Sequence, residues 1–304
     1  MELARIVQSE VFEPLGDFVL AGVDYSGSNP VVEVVGDSTV TFALASVSKF
    51  ISSIGFLIAF EEGLFDYDDV VLSLSKTITV RHLLSHASGL PFDIEGRVED
   101  GVIDSLFAGS IPFDQSLIVP PVSKRIYSNL GFELLCRFVE DQSQIDHFDY
   151  IREAIFAPLA MKTMSMTTNR YLESGRTGGA ARMVGSAGDL IKIIVELLEP
   201  SLFQSETLAE AIKPQFPQLS GVLPGFGRYA NNTFGLGFEV HGDKSPHWMS
   251  DATSNQSYGH FGQSGVFIWI DPVLRRGLIF LAERDFGPEQ RRLWPILSER
   301  FATS

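Results

Sequence analysis

Segments typical of β-strands lie near the two ends of this chain, whereas the residues between them have the pattern of helices. Short runs rich in β-branched and aromatic residues, bounded by glycine, proline and asparagine, occur at 18–23, 31–35, 39–44, 238–240, 266–270 and 277–282. Helical spacing of apolar residues occurs at 49–60, 130–140, 150–156 and 189–198, and again after Pro288. We therefore expect a mixed α/β (α+β) domain formed by residues 1–45 and 235–304, with a mainly helical subdomain at 46–234.

The composition and charge of the chain exclude several classes of protein. Of its 304 residues, 45% are hydrophobic and 20% are charged, which is typical of a soluble globular protein. The formal net charge of −15 and the lack of a basic cluster argue against a nucleic-acid partner. The sequence has no run typical of a membrane span and no zinc-ligand spacing, and it implies no metal and no cofactor. Because the amino terminus lacks the pattern of a signal peptide, we expect a cytoplasmic protein.

Ser46 and Lys49 are the strongest candidates for catalytic chemistry. They stand three residues apart at the start of the helix predicted at 49–60, so their side chains share one face of it. A serine hydroxyl is a weak nucleophile, and a lysine beside it that is partly removed from water can accept or steer its proton. The same spacing recurs at Ser73 and Lys76, but no helix follows there, and we expect that pair to lie in a surface turn.

Two further polar motifs follow along the chain. The first, Tyr127-Ser128-Asn129, directly precedes the helix predicted at 130–140. The Tyr127 phenol is suited to relay protons between Ser46 and a leaving group, provided that the charge of Lys49 lowers its pKa from about 10. Taken alone, the motif has a simpler interpretation, a tyrosine beside a helix cap. The second motif, His260-Phe261-Gly262-Gln263, leads into the strand predicted at 266–270, and a lone histidine there is more often structural.

Other tyrosine and histidine motifs lack this context. A second Tyr-x-Asn, at Tyr229 and Asn231, lies in a glycine-rich loop and is the weaker candidate. His82 and His86 belong to a short helical segment that ends at Gly89, and we interpret both as structural.

Taken in order, the three motifs resemble the active-site elements of class C β-lactamases and penicillin-binding proteins, including D-alanyl-D-alanine carboxypeptidases and family VIII-type esterases. The flanking segments at 61–66, 82–91, 127–135, 155–161, 178–190 and 269–272 are similar to this family too. The resemblance implies a β-lactamase/transpeptidase-like fold, in which an antiparallel sheet flanked by helices adjoins an all-helical subdomain. It also implies an active site at the interface of the two.

The resemblance also implies a role for each motif. Ser46 would be the acylated nucleophile, Lys49 and Tyr127 would share the proton transfer, and Asn129 would orient Lys49 and the substrate. The third motif would bind the substrate, and its residues are His260, Phe261, Gly262 and Gln263. The backbone N–H groups of Ser46 and Gln263 would form the oxyanion hole.

One departure from the family bears on the substrate. β-Lactamases and carboxypeptidases usually have Lys-Thr-Gly or a close variant where this chain has His260-Phe261-Gly262, and that pair helps to hold the substrate carboxylate. Phe261 cannot donate a hydrogen bond, and histidine is mostly neutral at pH 7. We therefore expect a serine hydrolase for small esters or amides. The alternatives are a β-lactamase or D-Ala-D-Ala carboxypeptidase and, with less support, a non-catalytic binding protein on the same fold. The expected partner is a small ester, amide or β-lactam, with no nucleic acid or membrane.

Overall fold

The computed structural model describes residues 2–10, 12, 15–71, 77–93, 102–107, 110, 117–166 and 179–304. In chain order the strands are β1 (Phe18–Asp24), β2 (Val31–Val35), β3 (Thr41–Ala43), β4 (Ser165–Met166), β5 (Met183–Ser186), β6 (Gly221–Leu223), β7 (Gly227–Tyr229), β8 (Glu239–Val240), β9 (Tyr258–Gly262), β10 (Val266–Asp271) and β11 (Arg276–Ala282). The helices are α1 (Glu2–Ser9), α2 (Val47–Glu61), α3 (Val80–Leu84), α4 (Val102–Phe107), α5 (Asn129–Ser143), α6 (His147–Ile151), α7 (Ala187–Leu198), α8 (Ser205–Ile212) and α9 (Pro288–Thr303), with a π-helical turn at Arg152–Phe156.

The main sheet joins the two ends of the chain. Its strand order is β2-β1-β11-β10-β9-β8, and each neighbouring pair is antiparallel. β1 pairs with β11 along its whole length, from Phe18 opposite Ala282 to Asp24 opposite Arg276. The prediction of an antiparallel sheet built from both termini is therefore confirmed.

Both faces of the sheet are covered, and neighbouring residues of a strand contribute to different clusters. In β10, Ile268 packs in the cluster shared with α2 and α7, whereas Phe267 and Trp269 pack in the cluster shared with α9. This alternation follows from the two-residue period of a strand. The strands have few polar residues because both faces are buried.

The segment 46–234 contains more than helices. β3 pairs with β5 in a separate sheet of order β3-β5-β4, and β6 and β7 form a two-stranded hairpin. Within the same segment, α7 packs against β1 and β11 of the main sheet. The expected boundaries at 45/46 and 234/235 stay a prediction. The Ser73–Lys76 pair lies outside the described residues.

Helix α2 lies at the centre of the molecule. Its residues from Val47 to Ala59 are all buried, and it packs against β9, α5 and the π-helical turn. A mainly apolar helix that is buried on every side belongs to the interior of a protein. The start of α2 is thereby held between the sheet and the helical layer. Among the helices of the described ranges, none is long and apolar enough to cross a bilayer.

Candidate active site

Ser46 stands directly before α2, where the chain turns sharply out of β3. Ala45 has a left-handed backbone with φ of +43°, and Ser46 itself is helical, with φ −68° and ψ −11°. The N–H groups of Val47 and Ser48 donate to the carbonyl oxygens of Leu44 and Ala45 at 2.9 and 3.0 Å. The turn holds the half-buried Ser46 hydroxyl at the positive end of the helix.

Lys49 lies one turn along α2 and is fully buried. Its Nζ donates to Oδ1 of Asn129 at 2.6 Å and to the carbonyl oxygen of Ala180 at 2.7 Å. It also lies 5.0 Å from the centroid of the Tyr127 ring. The structure therefore brings Lys49, Tyr127 and Asn129 together, although Asn129 is 80 residues from Lys49 in the sequence.

Tyr127 links Ser46 to His260. Its buried hydroxyl lies 3.3 Å from Nε2 of His260, and it is near enough to the Ser46 side chain for that hydroxyl to lower the pKa of the phenol. Burial raises the pKa of the Tyr127 phenol well above its usual range, and this outweighs the lowering by the Ser46 hydroxyl. The expectation that Lys49 lowers the pKa of Tyr127 is therefore wrong. Loss of water around the phenol has the larger effect, so Tyr127 is neutral at pH 7.

His260 is a buried, neutral acceptor for the Tyr127 hydroxyl. Burial, followed by the positive charge of Lys49, lowers the pKa of His260 to about 4. Nδ1 lies 2.8 Å from the carbonyl oxygen of Phe261, which can only accept, so Nδ1 carries the proton. Nε2 then has a free lone pair that faces the Tyr127 hydroxyl. Tyr127 therefore lies between Ser46 and the free lone pair of His260.

Phe261 lies in an aromatic cluster and not beside His260. Its ring centroid is 5.3 to 5.8 Å from those of four aromatic side chains, Phe226, Trp248, Phe286 and Trp294. His260 and Phe261 are adjacent in β9, so their side chains leave opposite faces of the strand. Since Phe261 packs toward α9, the structure does not bring its side chain together with Lys49, Tyr127 and Asn129.

Gly262 and Gln263 bring the end of β9 against the turn before Ser46. A Cβ at Gly262 would lie 2.6 Å from the carbonyl oxygen of Leu44, so only glycine fits this approach. The Ser264 hydroxyl donates to the carbonyl oxygen of Ala43 at 2.5 Å. No backbone hydrogen bond between described residues uses the N–H of Ser46 or of Gln263. Both N–H groups are therefore available to a substrate oxygen.

Several supporting groups were not identified from the sequence. Three side chains of α2 bond to the backbone of the segment 179–183, with Ser52 joined to Gly179, Lys49 to Ala180 and Ser48 to Met183. A backbone carbonyl such as that of Ala180 leaves no mark in the residue pattern. The Ser128 N–H donates to Nδ1 of His86 at 3.1 Å, which places the His86 ring 4.5 Å from the Tyr127 ring. This buried position suits the structural role expected of His86.

Glu239 forms a buried charge cluster near the end of β9. Its Oε1 accepts from Lys244 Nζ at 2.7 Å and from His247 Nε2 at 2.6 Å, while Oε2 accepts from Trp248 Nε1 at 2.9 Å. Burial alone would raise the pKa of Glu239, but the charge of Lys244 and the hydrogen bonds from His247 and Lys244 outweigh it and lower the pKa far below its usual range. The cluster fixes the loop after β8, next to the aromatic cluster around Phe261.

A comparison with family models identifies the family to which this fold and this site belong. The family model described as Beta-lactamase matches residues 37–300. This chain belongs to the β-lactamase family. The resemblance inferred from the three motifs is confirmed.

The curated relatives include a penicillin-binding protein and a putative carboxypeptidase. Penicillin-binding protein 4* of Bacillus subtilis strain 168 is 30% identical over 145 residues, which is 42% of this chain and 31% of that protein. A putative D-alanyl-D-alanine carboxypeptidase of Escherichia coli strain K12 is 22% identical over 275 residues, covering 74% of this chain and 61% of the relative. The chain thus spans between about a third and three fifths of these relatives' lengths.

Solved structures match over almost the whole chain. A β-lactamase from Mycobacterium bovis has a TM-score of 0.82 and 33% identity, with 98% of this chain and 97% of that chain covered. Simvastatin synthase from Aspergillus terreus has a TM-score of 0.75 at 18% identity, with coverage of 99% and 98%. The second likeness is one of fold alone. Together these matches confirm the predicted fold.

Proposed function

We propose that the protein is a serine hydrolase that cleaves small esters or amides through an acyl-enzyme on Ser46. The observation that carries this proposal is the row of side chains Ser46, Tyr127 and His260, in which Tyr127 is hydrogen-bonded to His260 and has Lys49 beside it. A binding protein has no use for such a row next to the start of a buried helix. A hydrolase needs it to remove the proton from its nucleophile.

The proton relay follows from the neutral state of Tyr127. Because burial raises the pKa of its phenol, Tyr127 does not act as a preformed phenolate. In acylation, Ser46 Oγ bonds to the substrate carbonyl carbon and its proton moves to Tyr127 Oη, while the Tyr127 proton moves to Nε2 of His260. The protons return in the reverse order to the leaving group as its bond to carbon breaks. Water then repeats the sequence to release the acid.

Negative charge is stabilised at two places during this reaction. The carbonyl oxygen becomes an oxyanion between the N–H groups of Ser46 and Gln263, and each such donor typically contributes about 3 kcal/mol. The positive charge of Lys49, held by Asn129 and Ala180, favours the electron density that develops on Ser46 and Tyr127. In this mechanism Tyr127 and His260 move the protons, and Lys49 stabilises the charge that develops.

The third motif favours esters and amides over β-lactams. The neutral His260 offers no positive charge to a substrate carboxylate at this strand. Phe261 has no hydroxyl, and its ring packs on Trp294 and its neighbours. A charged hydrogen bond of this kind is typically worth about 1.5 to 3 kcal/mol. The second candidate is a β-lactamase or D-Ala-D-Ala carboxypeptidase, which the names of the relatives favour.

Labelling with a fluorophosphonate, followed by mass spectrometry, tests the nucleophile. We expect one adduct on Ser46 and none in Ser46→Ala, whereas an adduct on another serine, or no adduct, would count against the proposal. A panel of substrates then separates the candidates: short-chain aryl esters, D-amino acid amides, a chromogenic cephalosporin and a D-Ala-D-Ala peptide. Faster turnover of the cephalosporin or the peptide than of every ester would favour the second candidate.

A further inference from the structure

We propose that a cationic cavity beside Tyr127 binds a carboxylate carried by the leaving group of the substrate. The inference rests on the proposed function, because it assigns a substrate class to the same active site. It places carboxylate recognition in a cavity that is lined by Tyr127, and not at the third motif.

The cavity has a volume of about 290 Å³ and lies between Phe92, the segment 124–127 and the β6–β7 hairpin. The hairpin is held to the segment by a hydrogen bond of 2.9 Å from the Arg125 N–H to the Ser220 carbonyl oxygen. Tyr127 lines the cavity and stacks its ring on Phe92, with centroids 6.0 Å apart. The cavity therefore adjoins the residue that exchanges protons with Ser46.

Among the described residues that line this cavity, three are cations and none is acidic. Lys124 and Arg228 are exposed, and neither has an ion pair with any residue that the structure describes. In a chain with a formal net charge of −15, two unpaired cations at one cavity are unusual. Their charge opposes the long-range repulsion of an anionic substrate by the rest of the chain.

Arg125 adds a buried charge beneath the cavity. Its guanidinium bonds to backbone carbonyl oxygens, those of Ser85, Gln215, Phe216 and Asn232. Burial lowers the pKa of Arg125 to about 9, which leaves it positive at pH 7. Carbonyl partners satisfy its hydrogen bonds but do not neutralise its charge. The positive potential therefore extends into the cavity.

The position of Tyr127 indicates which part of the substrate enters the cavity. In the proposed reaction Tyr127 Oη returns the proton to the leaving group, so the leaving group departs on the Tyr127 side. Among the described lining residues, apolar side chains are contributed by Phe92, Ile126, Val222 and Pro224. This cavity is at the small end of the range for ligand sites. It suits an aryl or short alkyl group that ends in a carboxylate.

A matched pair of esters tests the inference: 3-(butanoyloxy)benzoate and 3-(butanoyloxy)benzamide, which differ in the charge of the leaving group. We expect the benzoate to have the lower KM, and the KM ratio between the two esters to fall about tenfold in Lys124→Gln/Arg228→Gln, since each exposed ion pair contributes modestly. The preference should also weaken at high salt. Lys162→Gln, which removes an exposed cation outside the cavity, should keep the ratio of the parent protein.

Binding to Ser46→Ala, measured by calorimetry, separates this inference from the proposed function. If the parent protein hydrolyses neither ester and is not labelled by a fluorophosphonate, the proposed function is contradicted. The dissociation constants of the two esters still measure the preference for a carboxylate in that case. Tighter binding of the benzoate, lost in Ser46→Ala/Lys124→Gln/Arg228→Gln, supports the inference. Equal binding of both esters, or a preference that survives the loss of both cations, overturns it.

Discussion

The Tyr127 hydroxyl lies 3.3 Å from Nε2 of His260, and the other nitrogen of that imidazole donates to the Phe261 carbonyl oxygen. This arrangement fixes the tautomer of His260 and turns its free lone pair toward Tyr127. In the proposed mechanism His260 therefore takes part in the proton relay as well as bordering the substrate.

His260 should impose an acid limit on activity. Burial and the charge of Lys49 lower its pKa to about 4, and only the neutral form above that pH accepts from Tyr127. We expect kcat/KM on a neutral ester to change little between pH 5.5 and 7.5 and to fall as the pH drops through about 4. His260→Gln should lower kcat/KM at pH 7 by about tenfold or more and lose this acid limb. Tryptophan fluorescence at each pH checks that the protein stays folded, and a titration step near pH 6.5 would contradict the assignment.

Tyr127 and Lys49 should each be required for acylation. We expect Tyr127→Phe and Lys49→Met to lower the acylation rate by a factor on the order of 10², because proton transfer by a positioned group contributes that much. Stopped-flow measurement of acylation gives the rate. Tyr150→Phe is a matched control, since that hydroxyl bonds to Glu62 at 2.6 Å, away from the site. Turnover of Tyr127→Phe at the rate of the parent protein would remove Tyr127 from the mechanism.

Phe261 should matter to stability through its packing. Its ring contacts four aromatic neighbours and is 8% exposed, so Phe261→Thr removes a large buried side chain. We expect a loss of about 3 kcal/mol in the free energy of unfolding, measured with urea. Phe92 is 52% exposed, and Phe92→Thr should cost less than about 1 kcal/mol. Equal losses in the two variants would show that the Phe261 ring is not packed as described.

Removing the charge of Glu239 should lower the free energy of unfolding far more than removing an exposed charge. Glu239→Gln leaves Lys244 buried without its counter-charge, and breaking a buried ion pair typically costs about 3 to 5 kcal/mol. Asp149→Asn breaks a pair with Arg152 that is about half exposed and should cost less than about 1 kcal/mol. Because the pKa of Glu239 is lower in the folded protein, its contribution is present above its unfolded pKa and is lost as the pH falls. Unfolding of the parent protein and Glu239→Gln at several pH values measures this.

The sequence pattern predicted the parts of the site that depend on local spacing. Ser46 and Lys49 share a face of α2 because residues three apart in a helix are neighbours, and Ser128 caps α5 directly after Tyr127. The opposite directions of His260 and Phe261 also follow from the two-residue period of a strand. The sequence already contained this information, yet His260 and Phe261 were expected to act together on the substrate.

Other parts of the site depend on three-dimensional packing. The hydrogen bond between Lys49 and Asn129 joins residues far apart in the chain, and only the resemblance to a family indicated it. The pKa of Tyr127 depends on how completely the surrounding side chains exclude water. Lys124 and Arg228 come together only because the β6–β7 hairpin lies against the segment 124–127. None of these relationships has a spacing that can be recognised in advance.

The left-handed backbone of Ala45 has a consequence for protein engineering. A residue with a side chain pays about 1 kcal/mol or more in this conformation, whereas glycine adopts it freely. Ala45→Gly is therefore an obvious choice in a search for thermostable variants. Yet the same substitution would add backbone freedom directly before Ser46, the proposed nucleophile. In the proposed mechanism, selection for heat resistance at this position would act against turnover, because the rigidity that costs stability also holds Ser46 in place.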